Sequence, residues 1–323
     1  MYSSLKKTIS LALFIVMLVL SCSAFAEERL ELVVKEEDGG EFRPLPLNLD
    51  GGSPVPMEFE DRWRYAVYED PTIRVERYDV KDPNYQVTYW YALITIRDPS
   101  QLRTASASES NPFLDSVINP GFVIARRKRA VLAINGDYCA SFSGENHNNY
   151  VLRQGTVYRD SVTENLDILL IDEDGDFHVL SADDTDLESV DKTQINGKNV
   201  INALQFGPAL VINGEKVPDE IILNPERSPT FAEPQGRAQR TIICQIDELH
   251  YMALCCAFWG MNLADLRDLA MSLAPVKIVY VLDGGRSSQI MFLGDWWNAG
   301  SNGNDEARGL TDIIYFASAW FKK

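Results

Sequence analysis

Residues 276–282 read Val-Lys-Ile-Val-Tyr-Val-Leu and run straight into Asp283, Gly284, Gly285, Arg286, Ser287 and Ser288. β-Branched and apolar residues at that density have the composition of a buried strand. The junction sets a carboxylate at a strand end. The two glycines after it have no Cβ to hold a ligand away, and their N–H groups are expected to be free for an anion. Chemistry on a phosphorylated or sugar-like substrate suits such a place.

The rest of the chain is read in the same way. Strands are expected over 65–68, 73–78, 86–97, 130–134, 167–172, 177–180, 210–212, 241–246, 249–257 and 312–317. Asp174-Gly175, Asn213-Gly214 and Asp247-Glu248 supply turn signals beside them. One helix is expected over 111–129, divided at Pro120-Gly121. A second starts at Asn262, a good N-cap, with Leu263, Leu266, Leu269, Ala270 and Leu273 on one face and Pro275 as its stop. Strands dominate, so the expected class is α+β: mixed, largely antiparallel β-sheets with a few flanking helices in a single large domain, 65–323. Residues 27–64, rich in acid, Gly and Pro, read as a lead-in segment. Residues 48–53 repeat the Asp-Gly-Gly string among prolines with no strand before it, and read as an ordinary turn.

The first 26 residues read as a signal peptide. Lys6 and Lys7 precede the apolar run 9–20, and Ala24-Phe25-Ala26 fits a cleavage site. That run is too short for a spanning helix of roughly 20 residues. Cys22 offers a lipoprotein reading, which ranks second. A secreted, extracellular or periplasmic protein follows, with no integral membrane span in the mature chain. The net charge of −17 argues against nucleic acid and anionic membranes as partners. It also obliges any phosphate-bearing substrate to find local arginine. Cys139, Cys244, Cys255 and Cys256 allow one or two disulfides, although adjacent Cys255 and Cys256 read better as core residues on opposite faces of a strand. His147, His178 and His250 have no metal-ligand spacing, so a His/Cys zinc site is not expected.

A second strand-to-loop junction runs from the apolar residues 130–134 into Asn135, Gly136, Asp137 and Tyr138. Alone it is a common hairpin signal. Arg237-Ala-Gln-Arg240 heads the strand expected at 241–246, and Arg308 precedes the last strand. Either arginine could fork onto a phosphate or remain in a surface ion pair. With Phe206-Gly207-Pro208-Ala209-Leu210 between them, these motifs resemble, in order and spacing, the phosphodiester glycosidase family over roughly residues 85–320. Bacterial members of that family are often labelled exopolysaccharide-biosynthesis proteins.

The resemblance implies hydrolysis of a sugar-1-phosphodiester at the glycosidic carbon. Asn135, Gly136 and Asp137 match the family's first motif, Arg240 its arginine, and Asp283, Gly284, Gly285, Ser287 and Ser288 its glycine-rich motif. Asp137 and Asp283 would be the carboxylate pair, Arg240 and Arg308 the phosphate ligands, and Asn135 and Ser287 orienting groups. Arg286 stands where the family usually has a third glycine. It either adds a cation beside the phosphate or blocks the pocket. Cys139 stands where an aromatic is common. A divalent cation, Mg²⁺ or Ca²⁺, is compatible with aspartates beside phosphate. Carbohydrate or glycosyl phosphate is the expected partner, and Trp296 and Trp297 would either stack on a sugar or pack in the core. Two other readings remain open: a non-catalytic carbohydrate-binding module on the same fold, and an envelope-structural protein with no pocket shared by Asn135, Arg240 and Asp283.

Overall fold

A computed structural model of the chain describes residues 30–35, 39–48, 64–138, 149–229, 233–300 and 306–322. The leader at 1–26, Cys139, His147 and most of the 48–53 turn lie outside the described residues.

The fold is α+β. Its largest sheet has nine strands, in the order Leu30–Val33, Tyr65–Asp70, Ile73–Asp82, Val87–Ile96, His250–Cys256, Thr241–Asp247, Ile278–Leu282, Ala209–Ile212 and Glu215–Lys216. All neighbours run antiparallel except the first pair. A five-stranded antiparallel sheet runs Asp295–Trp296, Ile290–Phe292, Ala130–Asn135, Asp312–Ala317 and Leu102–Ser106. A third sheet is built around Lys198–Gln205 and Ile168–Asp172. From the lead-in, Leu30–Val33 pairs with Tyr65–Asp70 and Gly40–Phe42 with the final strand, Trp320–Lys322.

The strand Ile278–Leu282 is apolar throughout because both its faces are covered. Ile278, Tyr280 and Leu282 join Ile134, Phe292, Ile314 and Phe316 of the five-stranded sheet in a shared core. Val279 and Val281 face the other way and pack with Leu266, Leu269 and Ala270 of the helix Leu263–Leu273. Alternation along a strand sends neighbours to opposite faces, and Cys255 and Cys256 divide in the same manner. The outer face of the five-stranded sheet is covered by Ile124 and Ala125 of the helix Gly121–Arg127. The order of layers is therefore helix, sheet, core, sheet, helix.

Local chemistry explains the element ends. Asn262 accepts the N–H of Asp265 at 2.8 Å and caps the long helix. The expected helix over 111–129 forms only as Gly121–Arg127. Ahead of it, side chains compete for the backbone. Ser106 accepts the Phe113 N–H at 2.9 Å, Asp115 accepts from Ser108 at 2.7 Å and from Asn111 at 3.0 Å, and Phe113 adopts φ of 62°. Cys244, Cys255 and Cys256 are free, buried thiols, so none of the three forms the disulfide that was allowed for them. Trp296 and Trp297 are both buried, with the indole of Trp296 on Asn298 and that of Trp297 on Asp79.

Candidate active site

Four strand ends meet at the seam between the nine- and five-stranded sheets. Asn135 closes Ala130–Asn135, Asp283 follows Ile278–Leu282, Thr241 opens Thr241–Asp247, and Asp312 opens Asp312–Ala317. Thr241 stands opposite Leu282 in one sheet, and Asn135 opposite Ile313 in the other. The side chain of Asn135 ties the two together. Its Nδ2 donates to the main-chain carbonyl of Asp283 at 2.7 Å and to that of Gly136 at 3.1 Å. Its Oδ1 accepts from the Thr241 hydroxyl at 2.8 Å and from the Gln289 N–H at 3.2 Å. A primary amide has two N–H donors and two acceptor lone pairs. All four are engaged, so Asn135 acts by holding the junction.

Asp283 lines a small cavity with Gly136, Tyr138, Ser287, Thr311 and Asp312. Its volume is about 10 Å³, roughly the space of a single water molecule. Burial pushes the Asp283 carboxyl up to about 6, and the negative charge of Asp137 adds to the rise. The Ser287 hydroxyl, the positive charge of Arg308 and the Gly284 N–H, 2.8 Å from Oδ1, act against it. A carboxyl in that range can hold or release a proton near neutrality.

Asp137 is placed differently. It is fully buried, bonded to Arg153 Nη2 at 2.6 Å and to the Gln205 N–H at 2.8 Å, and it does not line the cavity. The same Arg153 nitrogen lies 3.6 Å from Asp312 Oδ2. Asp312 is thus the second carboxylate on the cavity wall. Gly136 is glycine because of it: a Cβ there would overlap the Asp312 carboxyl. Neither Asp312 nor Arg153 is marked in the sequence by a motif. Asp312 is only a lone acid heading an otherwise apolar strand.

The glycine loop corrects the expectation of amides free for an anion. Gly284 N–H turns to its neighbour's Asp283 carboxylate, Gly285 N–H to the Gln239 carbonyl at 2.9 Å, and those of Ser287 and Ser288 to the carbonyls of Gly284 and Gly285, each at 3.1 Å. The glycines serve close packing instead. A Cβ on Gly284 would come within 2.8 Å of the Gln239 carbonyl, and Gly285 has φ of 58°. Ser288 is buried and Arg286 is exposed, and neither side chain lines the cavity.

Arg240 is also turned away from the cavity. Its guanidinium donates to the carbonyls of Glu233, Gly236 and Met261, and burial lowers its pKa. The cavity is therefore shared by Asn135 and Asp283 but not by Arg240. Arg308 lies close enough for its charge to act on Asp283, and its carbonyl accepts from Gln289 at 2.7 Å. Among the described residues no group of three His, Cys, Asp or Glu side chains is disposed to hold a metal ion. Among them, too, no helix is long and apolar enough to cross a membrane.

The family model described as phosphodiester glycosidase matches residues 128–317, which contain every residue of this site. No curated protein sequence matches the chain. Among solved structures, the zebrafish N-acetylglucosamine-1-phosphodiester alpha-N-acetylglucosaminidase catalytic domain, auto-inhibited by its pro-peptide, superposes with a TM-score of 0.59 at 16% identity, covering 77% of this chain and 84% of that one. A hypothetical protein from Synechocystis gives 0.49 at 14% identity, over 80% of this chain and 64% of the other. A putative exported protein from Burkholderia pseudomallei gives 0.44 at 11%, over 72% and 74%.

Proposed function

The chain belongs to the phosphodiester glycosidase family, and from that premise we propose that it hydrolyses the bond between a sugar's anomeric carbon and the oxygen of a phosphodiester. The observation that carries the reading is Asp283, a buried carboxyl raised to about 6 on the wall of a water-sized cavity, beside Asp312 and within the field of Arg308. Breaking this bond develops positive charge on the sugar carbon and leaves a phosphate monoester. A phosphate is a good leaving group, so the main demands are a proton acceptor for water, an anion near the carbon and a cation near the phosphate.

The roles follow from placement. Asp283 in its ionised form takes the proton of the attacking water. Asp312, held toward Arg153, supplies negative charge beside the developing cation. Arg308 receives the phosphate, with exposed Arg286 at the rim as a second cation. Asp137 supports the site from behind through Arg153. Arg240 supports it by bracing the backbone at the head of Thr241–Asp247. A divalent cation would find only Asp283 and Asp312 as protein carboxylates here. It would need the substrate's phosphate oxygens to complete its shell, as Mg²⁺ often does.

Arg286 is exposed and does not line the cavity, so its place in the loop lends the non-catalytic reading no support. The zebrafish enzyme's name suggests an N-acetylglucosamine phosphodiester as the first substrate to try. Release of free reducing sugar from UDP-N-acetylglucosamine or another glycosyl-1-phosphodiester tests the proposal, and binding without release would contradict it. We further propose that the protein is exported to act on envelope or extracellular glycans, on the strength of the first 26 residues. N-terminal sequencing of the mature protein from its native host should then begin at Glu27.

A further inference from the structure

Away from Asp283, a groove of about 720 Å³ is lined by Trp90 and Thr88, by the polar side chains of Lys81, Asp82 and Gln86, and by Phe258 and Trp259. Phe258 is 52% exposed and Trp259 is 74% exposed. They are the only large apolar side chains among the described residues to stand so open at this groove, and they meet edge to face at 5.3 Å. Such exposure has a solvation cost and calls for a reason.

The two rings are presented by a braced turn. Gly260 N–H closes it onto the Ala257 carbonyl at 2.7 Å. Arg237 then clamps it from outside, with Nε on the Trp259 carbonyl at 2.9 Å and Nη2 on the Tyr85 carbonyl at 2.7 Å. A Cβ on Gly260 would run into the Ala238 backbone, so the turn is seated against that chain. Trp90 is fixed as well: Asp79 accepts hydrogen bonds from the indoles of both Trp90 and Trp297.

The groove opens on the same end and face of the nine-stranded sheet as the Asp283 cavity. Trp90 stands opposite Cys255, Cys255 opposite Thr241, and Thr241 opposite Leu282. Three strand spacings put Trp90 about 14 Å from the Leu282 backbone. Facing residues in a row share a side, and Thr241 on that row bonds Asn135.

We infer that this groove is a glycan-binding subsite, in which Trp259 and Phe258 stack on pyranose rings while Lys81, Asp82 and Gln86 bond their hydroxyls. A pyranose offers an apolar C–H face and a rim of hydroxyls, and an aromatic platform edged by polar side chains matches both. A protein-docking surface would ask for a broader apolar area than two rings. The ligand is a saccharide chain, so the part of the substrate beyond the scissile bond is itself a glycan.

Calorimetric titration of the full chain with chitotetraose, cellotetraose and mannotetraose tests this, with the free monosaccharides as controls. None of these carries a phosphodiester, so binding is read apart from turnover, and failure here leaves the proposed hydrolysis to its own assay. At least one tetrasaccharide is expected to bind, with Trp259→Ala weakening it about tenfold or more and Trp259→Phe retaining most of the affinity. Absence of binding by all three, or equal binding by Trp259→Ala, would overturn it. So would self-association that Trp259→Ala abolishes in a protein binding no saccharide.

Discussion

The Asn135 amide donates to the Asp283 carbonyl at 2.7 Å, joining the end of a strand in one sheet to the end of a strand in the other. Asn135→Asp keeps the shape and removes both donors, turning a carboxylate toward two carbonyl oxygens. Loss of about 3 kcal/mol is expected, read as a lower denaturant midpoint with an unchanged slope. An unchanged midpoint would mean that the amide does not tie the sheets.

The buried pair of Arg153 and Asp137 sets a second expectation. Arg153→Met leaves the buried Asp137 without its cation, and takes away the guanidinium nitrogen that lies 3.6 Å from Asp312 Oδ2. Removing one partner of a buried pair costs on the order of 3–5 kcal/mol. Arg153→Met with Asp137→Asn should recover part of that loss. A double variant no more stable than the single one would show that the pair is not coupled.

Much of this arrangement is legible in the sequence, for identifiable reasons. Residues 276–282 read as a buried strand because the core and the helix Leu263–Leu273 cover it on both sides. That helix announces itself through Asn262. Asp283 is visible because it sits at a strand end before glycines. Residues 111–118 are misread as helical because the apolar spacing of Phe113 and Val117 says nothing of the Ser106 and Asp115 hydrogen bonds that hold them. Asp312 is missed because its partners, Gly136 and Arg153, are close only after folding. Arg240 fits a family motif, but its target carbonyls lie in loops whose approach no local pattern specifies.

The raised carboxyl of Asp283 makes stability depend on pH in a defined direction. Its folded value is about 6, against about 3.9 unfolded. The folded protein holds this proton more tightly, so the contribution is fully present below pH ~4 and lost as pH rises through ~6. It amounts to about 3 kcal/mol. Asp79, pushed up to about 6 mainly by burial, acts in the same window and in the same direction. Asp283→Asn removes only its own share. Wild type should therefore lose about 2 kcal/mol more than the variant between pH 4 and pH 7, measured by urea unfolding. Parallel curves would contradict the burial of this carboxyl.

The proposed hydrolysis of a glycosyl phosphodiester turns on Asp283 moving the proton. Its most direct measurement is the pH dependence of sugar release from UDP-N-acetylglucosamine by the wild type and by Asp283→Asn. In the wild type kcat/KM is expected to rise through a limb near pH 6. The variant is expected to be slower by about 10²–10⁴-fold, with that limb gone. A variant with full activity, or with the same limb near pH 6, would contradict it.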